Sequence, residues 1–214
     1  MLGPIENEIE TKLDVPLNEK SDVILGKLEG ILKQEGWEIM LSRNDEKELL
    51  YYDTPDFSLY FEGSTLRRVT PFDPSKFKGS VRYDFKQGNG EKRTEIKYWS
   101  NRILNPSEIV DALQISKDYP KISSVAMVLI TPEFREIRKN GTDIELKLDT
   151  CWIDGEDKFR ELELELKHGN PLDVKNLSDK IAQSLGLNYL HQQKYGRVVE
   201  VMGLLRGRSY EDES

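Results

Sequence analysis

The segment RELELELK, residues 160–167, alternates charged and apolar side chains with the two-residue period of a β-strand. Its three leucines lie on one face of this strand, and the charged side chains at the odd positions from Glu161 to Lys167 lie on the other. Many antiparallel strands of this kind border water, which is the simpler interpretation of one strand alone. The fold therefore depends on whether the charged face lies against solvent or inside a closed sheet.

Four other segments repeat the alternation. They are NEIETKLDV (residues 7–15), VRYDFK (81–86), KRTEIKY (92–98) and DIELKLD (143–149). Interior and exterior residues alternate along every strand of a barrel, so a closed sheet can bury its apolar face beneath helices and keep a polar lumen. Charges inside a narrow lumen are costly unless they pair with each other, a ligand or a metal. Five such strands together therefore favour a barrel that binds a charged ligand.

The rest of the chain supplies the other elements of such a barrel. About eight strands are joined mostly by short turns, among them Gly88-Asn89-Gly90, Asn140-Gly141 and Asp154-Gly155. Apolar stripes at helical spacing predict helices within residues 14–37 and 172–185, with a last helix from about residue 195 to 205. We predict an α+β fold, an eight-stranded antiparallel β-barrel with a polar lumen and flanking helices. It forms one domain over residues 1–208, with a frayed acidic tail at 209–214.

The composition of the chain argues against several classes of binding partner. The net charge of −8 argues against a surface that binds nucleic acid or an anionic membrane. The chain shows no run of apolar residues that would span a bilayer and no basic segment followed by an apolar one at the N-terminus. We therefore expect a cytoplasmic protein, a monomer or a homodimer. A single cysteine, Cys151, and two histidines argue against a zinc site, so a metal would be held by oxygen atoms.

The charged faces also suggest the ligand. Arginine and lysine side chains suit a polyphosphate, because arginine gives bidentate contacts to phosphate oxygens. The carboxylates do not contact phosphate directly, but a divalent cation bridges carboxylate and phosphate oxygens. These are the requirements of metal-assisted phosphoryl chemistry. The basic residues in question are Lys12, Arg67, Lys86, Arg93, Arg135 and Lys194.

The ordered motifs resemble those of one family, the CYTH superfamily of triphosphate tunnel metalloenzymes. Glu8-x-Glu10-x-Lys12 is similar to its N-terminal signature, and Tyr51-Tyr52-Asp53-Thr54 is similar to its YYDT strand end. Further along, the chain has counterparts of the arginine strand, the phosphate-binding lysine, the acidic group and the C-terminal basic residue. These are Leu66-Arg67-Arg68, Lys86, Asp149 with Glu161-x-Glu163, and Lys194. The resemblance spans about residues 5–200.

The resemblance implies an eight-stranded tunnel that binds a triphosphate and a divalent metal, Mg²⁺ or Mn²⁺. The metal ligands that it implies are Glu8, Glu10, Asp149, Glu161 and Glu163. The phosphate ligands are Lys12, Arg67, Lys86, Arg135 and Lys194. Glu10, Glu163 and Lys12 are the candidate catalytic residues, with a carboxylate activating the attacking water and Lys12 orienting Glu8 and Glu10.

The arginine strand departs from the family pattern at one position. The family usually has a second arginine two residues after the first, where this chain has Val69. A bulge would re-aim Arg68 into the tunnel, or another basic residue would substitute. The candidates for substitution are Arg82, Arg93 and Arg138.

We expect the protein to be a metal-dependent triphosphatase that hydrolyses a terminal phosphoanhydride bond. Inorganic tripolyphosphate is the preferred substrate, and thiamine triphosphate or a nucleoside triphosphate are alternatives. A class IV-type adenylate cyclase would use the same tunnel, with the ribose hydroxyl as nucleophile. A non-catalytic polyphosphate- or nucleotide-binding module is the third interpretation, because Val69 removes one phosphate contact.

Overall fold

A computed structural model describes residues 2–72, 80–88, 92–115, 119 and 121–205, without the side chains of residues 4–7, 92 and 157. The tip of the predicted Gly88-Asn89-Gly90 turn and the predicted tail at 209–214 therefore lie outside the described residues. No helix in the described part of the chain has the length and apolar character needed to cross a membrane.

The described residues form ten strands and five helices. The strands are β1 (Leu2–Val15), β2 (Glu38–Asn44), β3 (Lys47–Asp53), β4 (Ser64–Pro71), β5 (Val81–Gln87), β6 (Lys92–Ser100), β7 (Ser123–Lys139), β8 (Thr142–Ile153), β9 (Glu156–His168) and β10 (Asn188–Tyr189). The helices are α1 (Ser21–Gln34), α2 (Ser58–Phe61), α3 (Pro106–Ala112), α4 (Pro171–Leu185) and α5 (Lys194–Val201).

Eight of these strands close into a barrel. Neighbouring strands pair in the order β1-β6-β5-β4-β3-β7-β8-β9, and β9 pairs again with β1. All of these pairings are antiparallel. Strand β2 extends the sheet along the C-terminal half of β7, and β10 pairs with the end of β1. The predicted eight-stranded antiparallel barrel is therefore confirmed.

The apolar face of the barrel points outward and is covered by helices. Leucines of β1, β8 and β9, among them Leu146 and Leu164, pack against the apolar stripes of α1 and α4. On the other side, α3 packs through Ile109 against outward residues of β4 and β5, such as Leu66 and Tyr83. The hydrophobic core therefore lies between barrel and helices, and the strands are free to turn charged residues inward.

Helix α5 fills one end of the barrel. Its residues Tyr195 and Val198 pack against inward-facing side chains, among them Tyr51 and Cys151. The Tyr195 ring stacks on Tyr51 with centroids 5.0 Å apart, and the Tyr195 hydroxyl donates a 2.8 Å hydrogen bond to buried Asp53. This helix begins at Lys194, one residue earlier than predicted, and ends at Val201, four residues earlier than predicted. Lys194 at its first position is buried in the interior.

Candidate active site

Charged side chains line the remaining interior of the barrel. They surround a cavity of about 90 Å³ and come from every barrel strand except β7, whose contribution is apolar. The charged lining residues are Glu10, Lys12, Lys47, Arg67, Arg82, Lys86, Arg93, Lys147, Asp149, Glu163, Glu165 and Lys194. Alternation positions those of β1, β8 and β9, because α1 and α4 hold the leucines of these three strands outward.

Three carboxylates form a compact cluster in this lumen. Asp149 on β8 lies directly opposite Glu161 on β9, and Glu163 follows two residues later on the same face. All three are buried, and one oxygen atom of each lies within 4.8 Å of the others. Asp149 Oδ1 has no hydrogen-bond partner among the described residues. An all-oxygen cluster that includes such an oxygen fits a hard divalent cation such as Mg²⁺ or Mn²⁺.

Two lysine ammonium groups balance the cluster. Lys12 Nζ lies 2.6 Å from Glu163 Oε1 and 3.7 Å from Glu161 Oε1. Lys194 Nζ lies 2.5 Å from Asp149 Oδ2 and 3.0 Å from Glu161 Oε1. Burial alone would lower the pKa of each lysine, but the surrounding carboxylates outweigh it and raise the pKa, so both are charged.

Hydrogen bonds of Gln193 fix the position at which α5 begins, just before Lys194. Gln193, the residue before α5, donates hydrogen bonds from its amide to the carbonyl oxygens of Gly63 (2.6 Å) and Gly88 (2.9 Å). The Thr65 hydroxyl donates a 2.6 Å hydrogen bond to the Gln193 amide oxygen. The start of α5 is thereby tied to β4 and to the end of β5, which sets the depth of Lys194 in the lumen.

The two glutamates of the first strand occupy different surroundings. Glu10 Oε1 lies 2.7 Å from Arg93 Nη1 and 3.7 Å from Lys12 Nζ, so it adjoins the carboxylate cluster through Lys12. Glu8 accepts a 2.7 Å hydrogen bond from Lys86, farther around the lumen. Burial and a hydrogen bond with Glu95 raise the pKa of Glu8 to about 7. Glu8 is thus placed with Lys86 and Glu95 rather than with the three clustered ligands.

Four of the predicted phosphate ligands besides Lys12 point into the lumen: Arg67, Lys86, Arg93 and Lys194. Two do not. Strand β4 runs in regular register with β5 and has no bulge, so Arg68 faces outward and donates a 3.1 Å hydrogen bond to Glu48. Arg135 on β7 lies against α1, where it hydrogen-bonds Glu29 at 3.2 Å. The geometry therefore separates Arg68 and Arg135 from the other predicted ligands.

The lumen also contains charged residues that the resemblance does not supply. Lys47, Arg82 and Lys147 line the cavity, and Asp84 and Glu95 are buried beside it. The signal for four of them is in the sequence. VRYDFK and KRTEIKY place Arg82, Asp84 and Glu95 on the same faces as Lys86 and Arg93, and DIELKLD places Lys147 on the face of Asp149. Arg138, another candidate substitute for the absent arginine, is exposed and pairs with Asp143 instead.

Known structures share this architecture. A protein from Hippeastrum, reported with a dominant triphosphatase activity, superimposes with a TM-score of 0.58 at 16% identity over 92% of this chain and 96% of its own. A Pyrococcus horikoshii protein gives a TM-score of 0.58 at 20% identity over 90% and 98%. The chain has the triphosphate tunnel fold.

A third structure with the triphosphate tunnel fold is a provisionally assigned adenylate cyclase from Bacillus halodurans. It gives a TM-score of 0.57 at 14% identity over 90% of this chain and 97% of its own. No protein-family model matches the sequence, and the search of curated proteins found no match. At these identities the comparisons establish the tunnel fold, and the chemistry has to be argued from the lumen.

Proposed function

We propose that the protein is a divalent-metal-dependent triphosphatase that hydrolyses a terminal phosphoanhydride bond inside the barrel. The observation that carries the proposal is the juxtaposition of the Asp149, Glu161 and Glu163 cluster with inward-facing arginines and lysines in one lumen. A triphosphate needs both partners, because cationic side chains bind its oxygens while the carboxylates need a cation between themselves and the anion. The triphosphatase activity reported for the Hippeastrum protein supports the same proposal.

Each group has a distinct role in this proposal. Asp149, Glu161 and Glu163 would hold Mg²⁺ or Mn²⁺, which when bound supplies charge neutralisation on the phosphate oxygens. The cationic side chains fix the phosphates in line for attack. Lys12 and Lys194 release part of their carboxylate contacts and turn to phosphate. The proposed phosphate ligands are Lys12, Arg67, Lys86, Arg93 and Lys194.

Glu10 is the proposed acceptor of the proton from the attacking water. Burial alone would raise its pKa, but Lys12 and the other nearby cations outweigh it, so the pKa of Glu10 is lowered and the group is ionised near neutral pH. Its carboxylate oxygen Oε1 lies 2.7 Å from Arg93 Nη1 and 3.7 Å from Lys12 Nζ, the lysine that also contacts Glu163. An ionised carboxylate next to the three clustered carboxylates is suited to orient water and to take its proton.

Inorganic tripolyphosphate is the proposed substrate, because the lumen offers charged groups around most of its circumference. One observation favours an organic triphosphate, which would serve either hydrolysis of thiamine triphosphate or the adenylate cyclase alternative. A second cavity of about 320 Å³ adjoins the lumen at Thr65 and Gln193, and it is lined by Tyr60, Phe61 and His191. An aromatic lining of this kind is suited to a base or a thiazole ring.

Product analysis separates these functions. The protein is incubated with tripolyphosphate, thiamine triphosphate and ATP, each with Mg²⁺ or Mn²⁺, and all products are resolved by chromatography. Orthophosphate with pyrophosphate from tripolyphosphate is the expected result. Cyclic AMP with pyrophosphate from ATP would instead establish the cyclase. Tight binding of tripolyphosphate without turnover would establish a binding module.

A further inference from the structure

The position on β4 where the family has its second arginine is paired with an arginine of β5 that points into the lumen. Val69 faces the lumen, and its directly paired residue on β5 is Arg82. Directly paired residues of an antiparallel sheet have Cβ atoms about 5 Å apart, so a long side chain from either position reaches the same part of the lumen. Arg82 faces the lumen and is about one-third exposed.

A buried carboxylate holds Arg82 and Arg67 together. Asp84 lies two residues after Arg82 on β5 and directly opposite Arg67 on β4, and it is fully buried. Arg67 Nε donates a 3.0 Å hydrogen bond to Asp84 Oδ2, and Arg82 Nη2 donates another of 3.0 Å to the same oxygen. Arg82 Nε lies 2.8 Å from the other oxygen, Oδ1. One negative charge thus orients two guanidinium groups and leaves a net positive charge.

A lysine beside this pair strengthens the positive charge. Lys47 lines the lumen together with Val69 and Arg82. Burial, Arg82 and Lys147 lower the pKa of Lys47 by more than Asp149 and Asp45 raise it. Cations that crowd together without enough carboxylates are stabilised when an anion binds between them.

We propose that Arg82 replaces the absent arginine of β4 as a phosphate ligand, and that Asp84 is a positioning residue that aims Arg67 and Arg82 at the same phosphate. This inference rests on the proposed function and deepens it, because it moves one phosphate contact from β4 to β5. Each guanidinium retains N–H groups that do not contact Asp84 and are available to phosphate oxygens.

The test of Arg82 is a titration of tripolyphosphate into the protein without divalent metal, followed by calorimetry, so that no turnover is involved. Arg82→Ala is expected to weaken the affinity about 10- to 100-fold, as the loss of a charge-assisted contact does. The matched control is Arg68→Ala, next to Arg67 on the same strand but facing outward, which is expected to keep the affinity within about twofold. Unchanged affinity in Arg82→Ala would overturn the proposal.

An exchange of positions makes the test sharper. The double variant Val69→Arg with Arg82→Val restores an arginine at the family position, and it is expected to recover most of the affinity lost in Arg82→Ala. A double variant with native circular dichroism that binds no better than Arg82→Ala would contradict the exchange. A wild-type protein that neither binds nor hydrolyses tripolyphosphate would contradict the proposed function, which is a different outcome from failure of Arg82 alone.

The positioning role of Asp84 is tested by comparing the effects of its substitution on KM and on kcat. Asp84→Asn keeps the shape of the side chain but removes the charge that orients both arginines, so KM for tripolyphosphate is expected to rise about tenfold while kcat changes less than threefold. Asp84→Glu, which retains the charge, is expected to recover part of the affinity. A proportional loss of activity at unchanged KM would assign Asp84 a purely structural role and overturn its positioning role.

Discussion

At the scale of single residues, the lumen is a network of opposite charges that a metal ion would rearrange. Lys12 and Lys194 both contact Glu163, at 2.6 and 3.3 Å. A buried carboxylate without a cation would be costly, so in the absence of metal the ammonium groups satisfy the cluster. Binding of a divalent cation would therefore compete with these lysines and would free their charge for a phosphate.

Glu163→Gln tests this competition. The variant removes one of three clustered carboxylate charges, so we expect Mn²⁺ affinity to fall at least about tenfold and triphosphatase activity to fall with it. Titration of Mn²⁺ followed by electron paramagnetic resonance measures the binding directly. Glu136→Gln, an exposed position on β7, is the control and is expected to bind Mn²⁺ like the wild type. Wild-type affinity in Glu163→Gln would remove this residue from the metal site.

The limits of sequence-based prediction are also visible at single residues. Arg67 and Arg68 are consecutive on a regular strand, so only one of them faces the lumen. Alternation alone does not decide which, because Arg67 shares its face with Val69 and Arg68 shares its face with Leu66. The outward position of Arg135 is harder to predict, because its partner Glu29 belongs to a helix more than 100 residues away along the chain. The pairing of Arg82 with Val69 needs the β4–β5 register, which the alternation alone does not fix.

At the scale of elements, the strongest alternations are the ones that predicted the barrel. Strand β9 and strand β8 follow their charged and leucine periods along the whole predicted segment. Strand β2 has no such signal, because Ile39, Met40 and Leu41 are consecutive apolar residues and all seven of its residues are exposed. An edge strand that extends one barrel strand is under no requirement to alternate, so the pattern misses it.

Helix α3 shows how a local signal sets an element boundary. Asn105 accepts a hydrogen bond from the Glu108 backbone N–H, and the Glu108 carboxylate accepts one from the Asn105 N–H, which is a capping box followed by Pro106 at the first helical position. Arg102 donates two further hydrogen bonds to Glu108, at 2.7 and 3.0 Å. The contacts with Arg102 and Asn105 lower the pKa of Glu108 to about 2.

This shift predicts a pH dependence. Because the folded-state pKa of Glu108 is depressed, its contribution to stability is present above its ordinary pKa of 4.5 and is lost as pH falls toward about 2. Glu108→Gln is expected to lower Tm by about 1–3 °C at pH 7, with a smaller difference from the wild type at pH 3. Thermal unfolding at both pH values measures it, with exposed Asp111→Asn on the same helix as control. An equal difference at both pH values would contradict the assignment.

At the scale of the whole molecule, the barrel is inverted relative to one with an apolar interior. Charged residues fill most of its lumen, so its stability depends on the outer clusters beneath α1 with α4 and beneath α3, and on the plug that α5 forms at one end. The closing pair β1–β9 lies under α4, and Leu164 is paired there with Thr11 on one side and Leu146 on the other. Closure of the barrel and the position of Glu163 therefore depend on the same strand.

Leu164→Ala is expected to lower the free energy of unfolding by about 2–5 kcal/mol, because a buried leucine is replaced by a cavity at the closing pair of strands. Urea denaturation followed by circular dichroism measures the change. Leu172→Ala, on α4 but with a 62% exposed side chain, is the matched control and is expected to change stability by less than about 0.5 kcal/mol. Similar losses in both variants would show that packing beneath α4 does not hold β9 against β1. A loss confined to Leu164→Ala would tie the stability of the barrel to the strand that carries Glu161 and Glu163.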